Sequence, residues 1–238
     1  MTRQSTGSIS ILPVLGIPEI VRGDLIGKTI SEKFELKDFD VILVTQKIVS
    51  KAEGMMVKLD SEDPTSHKKK IIEAESKRIL RERGELLITE THHGFICANA
   101  GVDMSNVEDG YVSLLPRDSD KSARRIRAQV KAVQNVDVAV IITDTFGRAW
   151  RRGLVDVAIG VAGLKPIDDL RGEEDANGRV LNVTEIAIAD ELAAASELVR
   201  IKSQNIPVAV IRGIDRRHFS NNVSIDELIR KPDEDLFR

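Results

Sequence analysis

The stretch Val136-Asp-Val-Ala-Val-Ile-Ile-Thr-Asp-Thr-Phe-Gly-Arg-Ala-Trp-Arg-Arg-Gly153 carries the strongest structural signal in the chain. Its run Val138, Ala139, Val140, Ile141 and Ile142 is short, β-branched and almost wholly apolar, which predicts a strand covered on both faces. At the strand's exit, Thr143, Asp144 and Thr145 offer one carboxylate and two hydroxyls. Gly147 is expected to free the backbone for a turn, and Arg148, Arg151 and Arg152 follow in one short loop. Hard cations prefer oxygen donors and guanidinium forks match phosphate or carboxylate oxygens, so this layout suits a metal and phosphate site. A plainer reading fits the same residues: Asp144 caps the next segment and the arginines decorate a solvated loop. The window alone leaves both readings open.

Outward from this strand, strand-like runs fall at Ser8–Val14, Asp40–Val49, Leu86–Thr89, Phe95–Ala98, Tyr111–Leu115, Val155–Val161 and Pro207–Arg212. Helical periodicity marks Asp24–Lys33, Pro64–Arg83, Ser119–Val133 and Val183–Lys202. In the second of these Ile71, Ile72, Ile79 and Leu80 are expected on one face, and the fourth is expected to be a packed core helix. The segments do not alternate strictly as strand and helix. The expected architecture is therefore a mixed α+β fold rather than a doubly wound parallel sheet. No internal repeat or low-complexity linker divides the chain, which reads as a single domain over residues 1–238 with room for two subdomains.

Composition narrows the function classes. A hydrophobic share of 42% supports a real core, and with 3% aromatic residues that core must be built from Val, Ile, Leu and Ala. So few rings offer no broad stacking surface for bases, and 35 basic against 38 acidic residues give a net charge of −3, which argues against a polyanion binder. Cys97 is the sole cysteine, so an intrachain disulfide or multi-cysteine zinc site is excluded. The first residues lack an apolar signal core, and no stretch approaches the roughly 20 apolar residues of a membrane span. A cytoplasmic protein that binds neither nucleic acid nor membrane is the expectation.

Several constellations invite chemistry. Gly23-Asp-Leu-Ile-Gly-Lys-Thr29 imitates a phosphate loop but is one residue short between its glycines, so Asp24 reads as a helix start and Lys28 as surface. His92, His93 and Cys97 lack partners at zinc spacing, His67 sits in a charged helix, and His218 is isolated. Cys97-Ala-Asn-Ala-Gly-Val-Asp-Met-Ser-Asn106 is more informative: small residues let the backbone approach a ligand, and Asp103 and Asn106 then offer polar groups. Paired with Asp144, Asp103 could bridge a divalent cation that neutralises phosphates; as ordinary turn residues, Asp103 and Asn106 need no ligand at all. Lys47 and Lys51, placed at the end of the Asp40–Val49 strand, either reach phosphate oxygens or pair with surface carboxylates.

Taken together, Leu12–Pro18, Thr45–Gly54, Asn99–Asn106 and Ile142–Gly153 resemble the coenzyme F420 γ-glutamyl ligase family, and the likeness runs on through Val183-Thr-Glu185, Ala189-Asp-Glu191 and Pro207–Gly213. The resemblance implies a GTP-dependent ligase that adds L-glutamate to the coenzyme F420 precursor through an acyl phosphate, releasing GDP and phosphate. By the match, Asp103 and Asp144 would hold one divalent ion, Mg2+ or Mn2+, and Thr145 a second, with K+ as a further ion the resemblance allows. Ile17, Pro18, Glu19, Ile20, Gln46, Lys47, Lys51 and Asn106 would line the GTP site, Arg148 would join Asp103 and Asp144 in catalysis, and Arg148, Arg151 and Arg152 would meet phosphate or the acidic substrates. The family also implies an intertwined homodimer with largely antiparallel sheets. One departure stands out at Arg200-Ile-Lys-Ser-Gln-Asn-Ile-Pro207, where family members carry a Gly-containing nucleotide loop, in some with a metal-binding Glu. Lys202 takes the position nearest that Glu and could substitute its own charge for a cation. An alternative follows from this loop, a nucleotide- or deazaflavin-binding homologue with lost or altered ligase activity. The flavin reductase domain that some relatives carry is not expected here.

Overall fold

The structure, a computed structural model, describes residues 7–236, and the side chain of Lys202 lies outside the description. Strand β1 (Ser10–Pro13) leads to helix α1 (Ile26–Lys33), strand β2 (Val41–Thr45) and helix α2 (Gln46–Glu53). There follow β3 (Met56–Lys58), α3 (Pro64–Glu75), β4 (Ser76–Arg83), β5 (Leu86–Thr91), β6 (Ile96–Ala98) and β7 (Tyr111–Ser113). The last elements are α4 (Ser119–Gln134), β8 (Ala139–Gly147), β9 (Leu154–Ala162), the short β10 (Asp168–Asp169) and β11 (Glu185–Ile186), α5 (Ile188–Glu197) and β12 (Val208–Arg212). The architecture is α+β, with one mixed sheet and several antiparallel ones.

Among the described residues the mixed sheet has the order β1-β12-β2-β8-β9. β2 and β8 run parallel, while the other neighbours are antiparallel. The opening stretch of apolar residues sits at the centre of this sheet, and Val140, Ile141 and Ile142 are fully buried. Each such side chain stabilises the fold by about 1.5–3 kcal/mol relative to exposure. Helices α4 and α5 pack on β9, and α1 packs on α4. Gly160 makes the α4 contact possible: a Cβ there would lie 2.5 Å from the Ser119 carbonyl carbon. Asp120 fixes the same junction by accepting from the Val161 N–H at 2.7 Å. A second, smaller core of Leu59, Ile72, Leu87, Ala100, Val102, Val112 and Leu114 lies apart from the main one. Among the described residues no helix is long and apolar enough to cross a membrane.

Three expected boundaries move. The Asp40–Val49 strand stops at Thr45, and Gln46–Glu53 coil into α2, because Ile48 and Val49 bury on a helix face and Gly54, at φ 72, closes the helix. The Pro64–Arg83 helix stops at Glu75. Beyond it, Ser76–Arg83 become β4, paired along β5, where Lys77 and Arg78 neutralise the buried Glu90. Ile72 therefore enters the small core while Ile79 stays exposed, so the expected single apolar face does not exist. The Val183–Lys202 helix shortens to Ile188–Glu197, which buries Ala189, Leu192, Ala193 and Ser196. Gly147 is not the turn either: it pairs with Leu154 in the β8–β9 ladder, and the chain reverses beyond it, where Trp150 has φ 64 and Gly153 φ 88.

Candidate active site

The parallel pairing of β2 with β8 ends at one edge of the sheet, where Thr45 is in register with Thr143. The next residues of each strand therefore emerge side by side, which is where open α/β sheets place ligand crevices. β2 runs into α2, and β8 continues through Asp144 and Thr145. Between them opens a cleft of about 590 Å³. Ile17, Pro18, Glu19 and Ile20 line it, together with Lys47, Lys51, Asp103, Asn106, Asp144 and Thr145. Residues far apart in sequence thus converge on one cavity.

Helix periodicity sorts the α2 residues. Lys47 and Lys51, one turn apart, face the cleft. Gln46 and Ser50, also one turn apart, face the protein: Gln46 is 1% exposed and accepts from the Ser50 hydroxyl at 2.8 Å. Gln46 therefore does not line the cleft as expected, because it occupies the inward face of the same helix. Arg148 is also outside it. Its guanidinium is exposed and donates to the Arg152 carbonyl at 2.7 Å, because β8 carries the chain past the cleft before turning.

The Lys47 ammonium sits 2.5 Å from Asp103 Oδ2 and 2.7 Å from the Ser105 hydroxyl. Burial raises the Asp103 pKa, but the hydrogen bonds from Lys47 and Ser105 outweigh it and hold the carboxyl below its ordinary value. Asp144 shows the reverse. Desolvation, with the like charges of Asp103 and Asp156 added, outweighs the Thr145 N–H and pushes it up to about 7. Lys51 pairs with Glu19 at 2.5 Å. Cys97 lines the same cleft, and burial, with the Asp144 charge behind it, pushes its thiol up to about 12, so it is no nucleophile at neutral pH.

Sequence reading overlooked the floor of the cleft. Asp156 on β9 is 5% exposed, ion-pairs with Arg200, and accepts from the hydroxyls of Thr145 at 2.6 Å and Thr143 at 3.1 Å. Arg200, equally buried, donates to the Thr143 hydroxyl at 2.9 Å. The available signal was a carboxylate on the inward phase of an otherwise apolar strand, Leu154–Ala162. In the departing loop Ile201 has φ −77, so no glycine is needed there, and it is Asn205 that adopts φ 52. Asn205, Ile206 and Pro207 line the cleft, while the expectation for the Lys202 side chain falls outside the description.

His92 and His93 rest against the Ala74 and Arg117 carbonyls. Among the described residues no group of three or more His, Cys, Asp and Glu side chains is placed to hold a metal ion. Among the oxygen donors that line the cleft are the carboxylates of Asp103 and Asp144 and the Thr145 hydroxyl. All three are oxygens, the donor type that Mg2+ and Mn2+ select.

A family model described as F420-0:gamma-glutamyl ligase matches residues 15–213. The chain belongs to that family. The coenzyme F420:L-glutamate ligase of Methanothermobacter thermautotrophicus is 41% identical, over 97% of this chain and 99% of its own. Those of Methanopyrus kandleri and Archaeoglobus fulgidus are 38% and 36% identical, over 98% and 97% of this chain and 100% and 96% of theirs. The F420-0:gamma-glutamyl ligase match spans every cleft residue named above, from Ile17 to Pro207.

Proposed function

We propose that this chain is a GTP-dependent ligase that joins L-glutamate by an amide bond to the coenzyme F420 precursor and acts as a homodimer. The observation that carries the reading is the convergence of Asp103 and Asp144 in one cleft beside Lys47 and Lys51. A carboxylate is a poor electrophile until phosphorylated. In this reading an oxygen of the acceptor's terminal carboxylate takes the γ-phosphoryl group, with GDP leaving. The glutamate amine then attacks the acyl carbon, and phosphate leaves.

The residues divide this work by charge. Lys47 and Lys51 bind phosphate oxygens from one face of α2. Asp103, Asp144 and Thr145 would hold a divalent ion, which when bound offsets the charge crowded around the phosphates. The fit is supported by the all-oxygen donor set and by the like charges of Asp103 and Asp156, which act on Asp144 and which a cation would relieve. Asp156 accepts the hydrogen bond that the Thr145 hydroxyl donates, which orients the lone pairs of that oxygen toward a cation.

The test is incubation with GTP, Mn2+ or Mg2+, L-glutamate and the unglutamylated deazaflavin, followed by mass spectrometry. The expected product is heavier by one glutamyl unit, with one GDP formed per bond. GDP binding without GTP consumption under either metal would overturn the reading in favour of a binding homologue.

A further inference from the structure

The hairpin that carries Asp144 ends in an exposed turn. Its last paired residues, Gly147 and Leu154, both line the cleft, so the turn begins at the cleft's rim. On that turn Trp150, the only tryptophan in the chain, is 88% exposed. Arg148, Arg151 and Arg152 are exposed beside it in sequence, and among the described residues none of them is joined to a carboxylate. Indole presents a broad face for stacking on planar rings, and unpaired guanidinium groups seek phosphate or carboxylate oxygens. A water-exposed ring among unneutralised cations therefore complements one class of molecule, a planar heteroaromatic with an anionic chain.

We propose that Trp150, Arg151 and Arg152 form the docking site for the aromatic acceptor, with its ring stacked on Trp150 and its chain running along β8 into the cleft. The inference rests on the ligase reading, which supplies an acceptor having both a deazaflavin ring and a terminal carboxylate. Distance sets a further requirement. From Asp144 to Gly147 the strand rises about 10 Å, so the acceptor must separate ring from reacting carboxylate by at least that span.

The sole tryptophan makes the proposal directly measurable. Titrating the wild-type protein with the unglutamylated deazaflavin, without nucleotide or glutamate, is expected to quench the indole emission saturably after correction for absorbance. GTP or L-glutamate alone is expected to leave it unchanged. Trp150→Ala raises the acceptor KM about tenfold while the KM for GTP stays put, and Trp150→Phe restores most of the loss. Arg151→Gln with Arg152→Gln raises the acceptor KM and weakens its dependence on salt. An unchanged acceptor KM in Trp150→Ala, or emission that follows protein concentration and ignores the acceptor, overturns the proposal. Quenching by the acceptor without any product would sink the ligase reading and leave the docking site standing. Product formation with an unaltered acceptor KM in Trp150→Ala would do the opposite.

Discussion

Two ion pairs flank Asp144, and they are built for opposite purposes. Lys47–Asp103 lies open, with the Asp103 side chain 42% exposed, and both partners have further contacts through Ser105. Arg200–Asp156 is closed, with side chains 5% and 7% exposed and both bound to Thr143. An open pair can trade partners when a phosphate or a cation arrives. A closed one cannot, because breaking it strands a charge in a low-dielectric interior. The cleft thus combines a reactive rim with a fixed floor, and Asp144 stands between them.

The largest effect is expected at Asp144 itself. Asp144→Asn keeps the shape but withdraws a charge from the proposed metal site, so turnover falls on the order of 100- to 1,000-fold. Mn2+ affinity, read by electron paramagnetic resonance, weakens alongside, and the melting temperature holds. Near wild-type turnover would place the reactive centre elsewhere and dissolve the comparison.

Removing the cation from each pair separates floor from rim. Arg200→Met leaves Asp156 buried and unpaired, a loss of about 3–5 kcal/mol and a melting temperature lower by roughly 6–20 °C. Adding Asp156→Leu restores much of that stability, since a buried pair is replaced by apolar contacts. Lys47→Met costs less than about 1 kcal/mol because Asp103 turns to solvent, yet it depresses turnover more than stability. Thermal unfolding and initial rates on the three variants decide the matter. Equal melting losses for Arg200→Met and Lys47→Met would mean the two pairs do the same job.

The two regions also differ in how far the sequence betrays them. Lys47, Lys51 and Asp103 follow a strand end or a small-residue turn, and Asp144 follows the apolar run of β8, where polar side chains in apolar surroundings stand out. Asp156 and Arg200 are 44 positions apart, and no local pattern links them; their pairing exists only once β9 and the end of α5 are brought together. The main sheet was legible because its strands are runs of Val and Ile. The segments misread were those where local periodicity yields to tertiary partners: Ser76–Arg83 satisfies a helical pattern but finds β5 and Glu90, and Ile48-Val49 reads as strand but coils on Gly54. Gln46 went astray for a related reason, since its direction depends on a helix phase that the strand reading could not supply.

The smallest expected effect lies at a third pair, away from the cleft, which mixes the two designs. His218 is 7% exposed, with Nδ1 3.9 Å from Asp168 Oδ1, while the exposed Arg217 takes the other Asp168 oxygen at 2.5 Å. Desolvation lowers the His218 pKa below 6.5; Asp168 and Asp215 oppose the shift, and Arg217 and Lys165 add to it. The unfolded chain therefore binds this proton at a higher pH than the folded one. Between 6.5 and the lower folded value, unfolding is coupled to proton uptake, so the stability held above 6.5 is lost as the pH falls. His218→Gln removes that slope while keeping a polar group of similar reach. Melting temperatures at about pH 7.5 and about pH 5.5 should fall further on acidification in the wild type than in the variant. Parallel losses would mean that burial does not lower the proton affinity of His218, and that closed and open designs cannot be told apart by exposure alone.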